Sequence, residues 1–136
     1  MNRVIGFDYG DKRIGVAISD PMQIIASELG IIYNIDLETV LNDIQKIIDH
    51  FPIEAIVLGL PLNMNDTEGF QAKKVRKFGE ELKRFKLPII YIDERESSKK
   101  AESIMKDLKM NVKKIRYESD KKAASIILQD YLDYKS

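Results

Sequence analysis

Two short apolar runs, Val4 to Phe7 and Ile14 to Ile18, are separated by only the six residues Asp8-Tyr9-Gly10-Asp11-Lys12-Arg13. A parallel pair needs a crossover of about a dozen residues or more, so a link this short with a turn-forming Gly-Asp makes the two runs an antiparallel hairpin. Ile31-Ile32-Tyr33 adds a third strand after a second turn. The remaining apolar runs, Ala55 to Gly59 and Pro88 to Ile92, each follow a stretch of helical spacing. They are therefore expected parallel to the first strand, through right-handed crossovers. A hairpin followed by crossover units gives an α/β chain with a mixed sheet.

The helices are legible from their spacing. Asp36 is placed to cap a helix carrying Val40, Leu41, Ile44, Ile47, Ile48 and Phe51, and His50-Phe51-Pro52 ends it. A second helix is expected from Thr67 to Lys86 with Phe70, Val75, Phe78, Leu82 and Phe85 inward. Ser97 or Ser98 would cap a third that turns Ala101, Ile104, Met105 and Leu108 inward. Lys109 to Glu118 reads as a basic loop, and a last helix as running from about Ser119 to Tyr134. Nothing repeats and no linker appears, so residues 1–136 are expected to form one domain.

Parallel strands share a carboxyl edge, where ligands of open α/β sheets bind. Asp8 closes the first strand, Gly59-Leu60-Pro61-Leu62-Asn63 follows the fourth, and Asp93-Glu94-Arg95 end the fifth. Lys12 and Arg13 lie in the hairpin turn on the same rim, where they meet phosphates or simply water. Asp20 ends the antiparallel strand and belongs at the opposite rim, as a turn residue before Pro21. Asp120 shares a helical face with Ala124, Ile127, Leu128 and Tyr131, so its carboxylate stands at the end of an apolar stripe rather than on a solvated back. A carboxylate there needs a partner. With Asp8 and Glu94 nearby, that partner must be a cation, since bare clustered carboxylates repel one another. Oxygen-only ligands suit Mg²⁺ or Mn²⁺.

Composition narrows the chemistry. The 136 residues include no Cys and one His, which excludes thiol catalysis, zinc–thiolate sites and any mechanism using two imidazoles. His50, beside Phe51 at a helix end, reads as structural. No apolar run approaches the ~20 residues of a membrane span, and the first residues lack a secretory h-region. No membrane partner is expected. The net charge of zero is segregated: residues 1–70 hold four basic and eleven acidic side chains, and residues 71–122 seventeen basic and nine acidic. Either these are solvated helix faces, or one flank meets a polyanion. Lys73, Lys74, Arg76, Lys77, Lys83, Arg84 and Lys86 crowd the second helix, while Lys109, Lys113, Lys114 and Arg116, with Tyr117, precede Asp120.

The stretches Gly6 to Ala17, Gly59 to Asn63, Asp93 to Arg95, Asp120 to Ala124 and Ile127 to Leu132 resemble, together and in order, the YqgF/RuvX family of the RNase H-like superfamily. They make four motifs, the last two stretches being one, and their spread over essentially the whole chain makes the resemblance specific. It implies a five-stranded mixed sheet, order 3-2-1-4-5, flanked by helices. It implies a bacterial cytoplasmic endonuclease that either matures the 5′ end of pre-16S rRNA in ribosome biogenesis or resolves Holliday junctions in branched DNA. A non-catalytic nucleic-acid-binding module on the same fold is the alternative of a different class. Asp-x-Gly hairpins also cradle phosphates in actin-like ATP binders, but those need two such domains, so no nucleotide cofactor is expected.

By this resemblance Asp8, Glu94 and Asp120 are the catalytic and metal-holding carboxylates, with Asp93 a possible substitute for Glu94. Two ions ~3.5–4 Å apart would be bridged by Asp8, and cleavage would leave a 5′-phosphate and a 3′-hydroxyl. Substrate contacts are assigned to Lys12, Arg13, Asn63, Arg95, Lys113, Lys114 and Arg116, and ribosomal particles are a possible setting. Three positions depart from the family pattern. Asn65-Asp66 replaces Asp-Gly, Glu96 replaces an apolar residue, and Ser119, an expected N-cap, replaces an aliphatic one.

Overall fold

The computed structural model describes residues 2–63, 65, 67–94 and 112–135, the last segment by its backbone alone up to residue 120. Strands β1 (Arg3–Asp8), β2 (Arg13–Ser19), β3 (Ala26–Tyr33), β4 (Ile53–Pro61) and β5 (Ile89–Glu94) form one sheet. Their order is β3-β2-β1-β4-β5. Helix α1 (Leu37–His50) precedes β4, helix α2 (Phe70–Leu82) with a 3₁₀ turn (Lys83–Phe85) precedes β5, and α3 (Val112–Lys135) closes the chain.

β1 pairs antiparallel with β2, setting Phe7 opposite Val16 and Asp8 opposite Gly15. β4 runs parallel to both β1 and β5, aligning Phe7 with Leu58 and Gly59 with Ile92. The hairpin and both crossovers are thus as the apolar runs require. β3 is longer than Ile31-Ile32-Tyr33: it starts at Ala26, and its first half escapes notice because exposed Ser27 and Glu28, and Gly30 after Leu29, leave no continuous apolar run.

Asp36 caps α1, its Oδ1 accepting from the Thr39 N–H at 2.9 Å. Thr39's hydroxyl donates to Oδ2 at 2.9 Å, and both bonds hold the Asp36 carboxyl below its usual range. α2 is shorter than the Thr67–Lys86 span. Ala72, Val75, Phe78, Gly79 and Leu82 point inward, but Phe70, expected inward, is 82% exposed. It is the first helical residue, before the buried stripe begins. The expected helix at 97–108 lies outside the described residues. The reading of 109–118 as a loop is corrected from Val112 onward: α3 begins there, so Ser119 is inside a helix and not its cap. Lys, Arg and Glu are good helix formers, and no Gly or Pro interrupts the segment.

The sheet has a core on each face. Ile5, Phe7, Ile56, Leu58 and Leu60 face α1 and α2. Val4, Ala17, Ala55 and Val57 face Ala124, Ile127, Leu128 and Leu132 of α3. Among the described residues no helix is long and apolar enough to cross a membrane.

Asp20 sits at the rim away from the carboxyl ends of β1, β4 and β5. Its Oδ1 accepts from the amides of Ile24 and Ile25 at 2.7 and 2.8 Å. Those backbone bonds, Ile25's foremost, lower its pKa. His50 packs edge-on against Phe51 with centroids 4.7 Å apart. Both residues are structural, as their positions in the chain imply.

Candidate active site

Alternation along each strand decides which side chains meet. In β1, Val4 and Gly6 face α3 whereas Ile5 and Phe7 face the other core, so Asp8 continues the α3 row. In β4, Val57 packs in the α3 core and Gly59 lies beneath Ile127. In β5, Ile90 and Ile92 pack against the α3 core, and Glu94 follows them in phase. Asp8 and Glu94 therefore lie on one face, at the carboxyl ends of strands two places apart in the sheet. Asp8 is half-buried, Glu94 is half-buried and Asp93 is exposed.

The strand between them carries Gly59. A Cβ built there would lie 2.8 Å from Glu94 Oε2 and 2.6 Å from Ile127 Cδ1. The Glu94 carboxylate thus leans over bare backbone, in space that any side chain would fill. Phe7 pairs with Leu58, so Asp8 flanks this same glycine. In the sequence Gly59 stands only as part of a motif; a glycine inside an otherwise fully buried strand is the signal of such a close approach.

The turn before β2 is built tightly. A Cβ on Gly10 would meet the Arg13 carbonyl oxygen at 2.5 Å, which explains the glycine of Asp8-Tyr9-Gly10. Asn34 ties the turn to the end of β3, donating from Nδ2 to the Gly10 carbonyl and from its backbone N–H to the Lys12 carbonyl, both at 2.9 Å. Lys12 is exposed on this turn, and Arg13, half-buried, opens β2.

Asn63 closes the loop after β4: its N–H donates to the Thr67 carbonyl and its Nδ2 to Thr67 Oγ1, each at 2.9 Å. Asn65 Oδ1 accepts from the Thr67 hydroxyl at 2.6 Å. An Asx-type turn therefore stands where the family pattern has Asp-Gly. Asn63 has a structural task whatever it does for substrate.

Asp120, Lys113, Lys114 and Arg116 belong to the first half of α3, whose backbone is helical there. Their side chains, and all of Arg95, lie outside the described residues. Position 120 is one turn before buried Ala124 and two before Leu128, which packs over Gly6. Further along α3, Gln129 accepts from the Ala26 amide and donates to the Ile24 carbonyl at the opposite rim. The N-terminal half of α3 is thereby directed toward the carboxyl edge that holds Asp8 and Glu94.

Along α2 and the 3₁₀ turn after it, several cations are locally neutralised. Arg76 donates from two nitrogens to both Glu68 oxygens at 2.7 Å, holding the Glu68 carboxyl below its usual range. Lys74 pairs with Asp11, Lys83 with Glu80 and Arg84 with Glu38. The face is thus in large part a solvated ion-pair surface, worth little in stability.

Among the described residues no three Asp, Glu or His side chains form a metal-holding group; Asp8 and Glu94 supply two carboxylates, with Asp120 outside that description. Their chemistry is oxygen-only, and the bare backbone of Gly59 lets the Glu94 carboxylate come close to the strand between them. Such a donor set fits a hard divalent cation and offers nothing to a soft one.

Comparison with known proteins agrees with this architecture. Two resolvases with solved structures share the RNase H-like fold. One is the Fowlpox virus resolvase in complex with Holliday junction DNA, at TM-score 0.58 and 13% identity, covering 98% of both chains. The other is T. thermophilus RuvC in complex with a Holliday junction substrate, at TM-score 0.53 and 14% identity, covering 99% of this chain and 96% of that one. Sequence relatives are nearer. A protein of Roseiflexus sp. is 44% identical over 96% of this chain and 94% of its own. One from Carboxydothermus hydrogenoformans is 41% identical over 98% of each. Both are named "Putative pre-16S rRNA nuclease". The family model described as "RuvX: Holliday junction resolvase" matches residues 2–134, and the chain belongs to that family.

Proposed function

We propose that this protein is a metal-dependent endonuclease that hydrolyses phosphodiester bonds in structured nucleic acid, and that its substrate is the precursor of 16S rRNA. The observation that carries the reading is the placement of Asp8 and Glu94 on one face of one sheet edge, on either side of Gly59. Asp120 is the third carboxylate, delivered by α3. With it, Asp8 and Glu94 would hold two Mg²⁺ or Mn²⁺ ions. Divalent ions held by these carboxylates would supply a lowered pKa for an attacking water and charge stabilisation for the leaving oxygen.

The chain's own groups position the strand. Lys12 in the hairpin turn, Arg13 opening β2, Asn63 in the loop after β4, Arg95, and Lys113, Lys114 and Arg116 on α3 contact backbone phosphates, which orient a strand without reading its sequence. Water attacks the phosphorus, the P–O3′ bond breaks, and the products carry a 5′-phosphate and a 3′-hydroxyl. Ribosomal particles in the cytoplasm are the setting this substrate implies. Branched DNA is the second reading, favoured by the description of the matching family.

The test uses labelled pre-16S rRNA and a synthetic four-way DNA junction, each with Mg²⁺, Mn²⁺ or EDTA. Metal-dependent cutting of the RNA with the junction left whole is expected. Cutting of the junction alone would establish the second reading, and binding of either without cutting would establish a non-catalytic module. Asp8→Asn should lower cleavage by more than a thousandfold while the melting temperature holds or rises, since carboxylate repulsion is relieved. Residual activity within tenfold of wild type would remove Asp8 from the chemistry.

A further inference from the structure

On the opposite side of the sheet from Asp8 and Glu94, at the same edge, a cleft of about 380 Å³ opens between the hairpin turn and α2. Its lining includes Tyr9, Phe78, Asn34 and Leu37, with the cations Lys74 and Lys77 and the carboxylates Asp11 and Glu81. Tyr9 directly follows Asp8 and packs on Phe78 with ring centroids 4.7 Å apart. Consecutive residues of a strand end point to opposite faces. The cleft is therefore what a strand would reach on passing over the rim from the carboxylates.

Phe70 stands at the N-terminal end of the same helix, 82% exposed. A lone exposed aromatic is ordinary, but this one is part of an assembly. The Lys74 ammonium lies 5.4 Å from its ring centroid and is tied at 3.0 Å to Asp11 of the hairpin turn. A cation is thus held between an exposed ring and the mouth of the cleft. Lys77, one turn from both Lys73 and Lys74 on the exposed side of α2, has no carboxylate partner among the described residues, unlike Arg76, Lys83 and Arg84. An exposed ring, an unneutralised cation and a cleft of nucleotide scale (roughly 300–1,000 Å³ is usual for small-ligand sites) are the parts of a single-strand platform. A helical duplex is too broad to enter such a cleft; an unpaired nucleotide is not.

We propose that Phe70, Lys77 and the cleft beside Tyr9 form a subsite for an unpaired strand of the substrate, Phe70 stacking on a base and Lys77 meeting a phosphate. This rests on the nuclease reading and deepens it: the preferred substrate joins a duplex to a single-stranded extension, and the extension is held on the α2 side while the carboxylates act on the α3 side. Stacking and phosphate contacts make the subsite tolerant of sequence.

The experiment measures fluorescence anisotropy of a labelled blunt RNA hairpin and of the same hairpin bearing a ten-nucleotide uridine tail on either end, with EDTA present so that nothing is cut. Wild type should bind one tailed form about tenfold more tightly than the blunt one, within the range that base–aromatic stacking gives. Phe70→Ala should erase that advantage and leave blunt-hairpin affinity within about twofold, while Phe70→Tyr restores it. Lys77→Ala should lower the salt slope on the tailed probe by about 0.7. If wild type binds the blunt hairpin but gains nothing from either tail, or if Phe70→Ala weakens both probes equally, the subsite is overturned and the nuclease reading stands. If wild type binds neither probe, both fall.

Discussion

A methyl group on Gly59 would lie 2.6 Å from Ile127 Cδ1 and 2.8 Å from a Glu94 oxygen, so Gly59→Ala should act on packing and on chemistry at once. The overpacking should cost about 1–3 kcal/mol, and displacement of Glu94 should lower cleavage by roughly ten- to a hundredfold, as small misplacements in an active site do. The two effects separate in a double variant. Ile127→Val removes Cδ1, so Gly59→Ala with Ile127→Val should recover much of the lost melting temperature and little of the activity. Wild-type activity in Gly59→Ala alone would show that Glu94 does not depend on that space. Residue identity alone does not reveal this relation: Gly59 and Glu94 are far apart in sequence, and their contact exists only once β5 pairs with β4. Asp36, by contrast, is legible from its neighbours, because a cap acts over three residues.

At the scale of elements, the strands announce themselves where both faces are buried and fall silent where they are not. Val57 and Leu58 of β4 lie in an unbroken apolar run that reads as a covered strand, whereas the first half of β3 is largely exposed and lacks such a run, so it passes for a turn. α3 shows the complementary failure. Its C-terminal half carries the buried stripe of Ala124, Ile127, Leu128 and Leu132, while its N-terminal half is charged, so periodicity vanishes although the helix continues. The consequence is functional, because Lys113, Lys114 and Arg116 ride on a helix rather than on a loop able to close over substrate. Replacing all three by Ala keeps a helix-forming segment, and should weaken binding across sequences. The slope of log affinity against log salt should fall by about 0.7–0.9 for each phosphate no longer neutralised. Turnover at saturating substrate should change far less, since uniform binding energy does not speed the chemical step. Unchanged affinity and slope would assign those cations to solvent and leave phosphate binding to the hairpin turn and α2.

Across the whole molecule the two cores are unequal partners of the candidate site. The core beneath α1 and α2 holds most of the large buried side chains, but the carboxylates face away from it. The α3 core is smaller, built from Val4, Ala17, Ala55, Val57 and four residues of one helix, and that helix also carries position 120. Cavities of similar chemistry on the two sides should therefore have similar costs and different consequences. Leu41 and Leu128 are both fully buried, and Leu→Ala at either should cost about 2–5 kcal/mol, a melting-temperature drop on the order of 10 °C. Measured well below both transitions, cleavage per folded molecule should be unchanged in Leu41→Ala. In Leu128→Ala it should fall severalfold, with more Mg²⁺ needed for half-maximal rate, because a loosened α3 no longer holds Asp120 in register with Asp8 and Glu94. Equal specific activity and equal Mg²⁺ dependence in the two variants would mean that the third carboxylate is not supplied through α3 packing, and that Asp8 and Glu94 hold the metal without it.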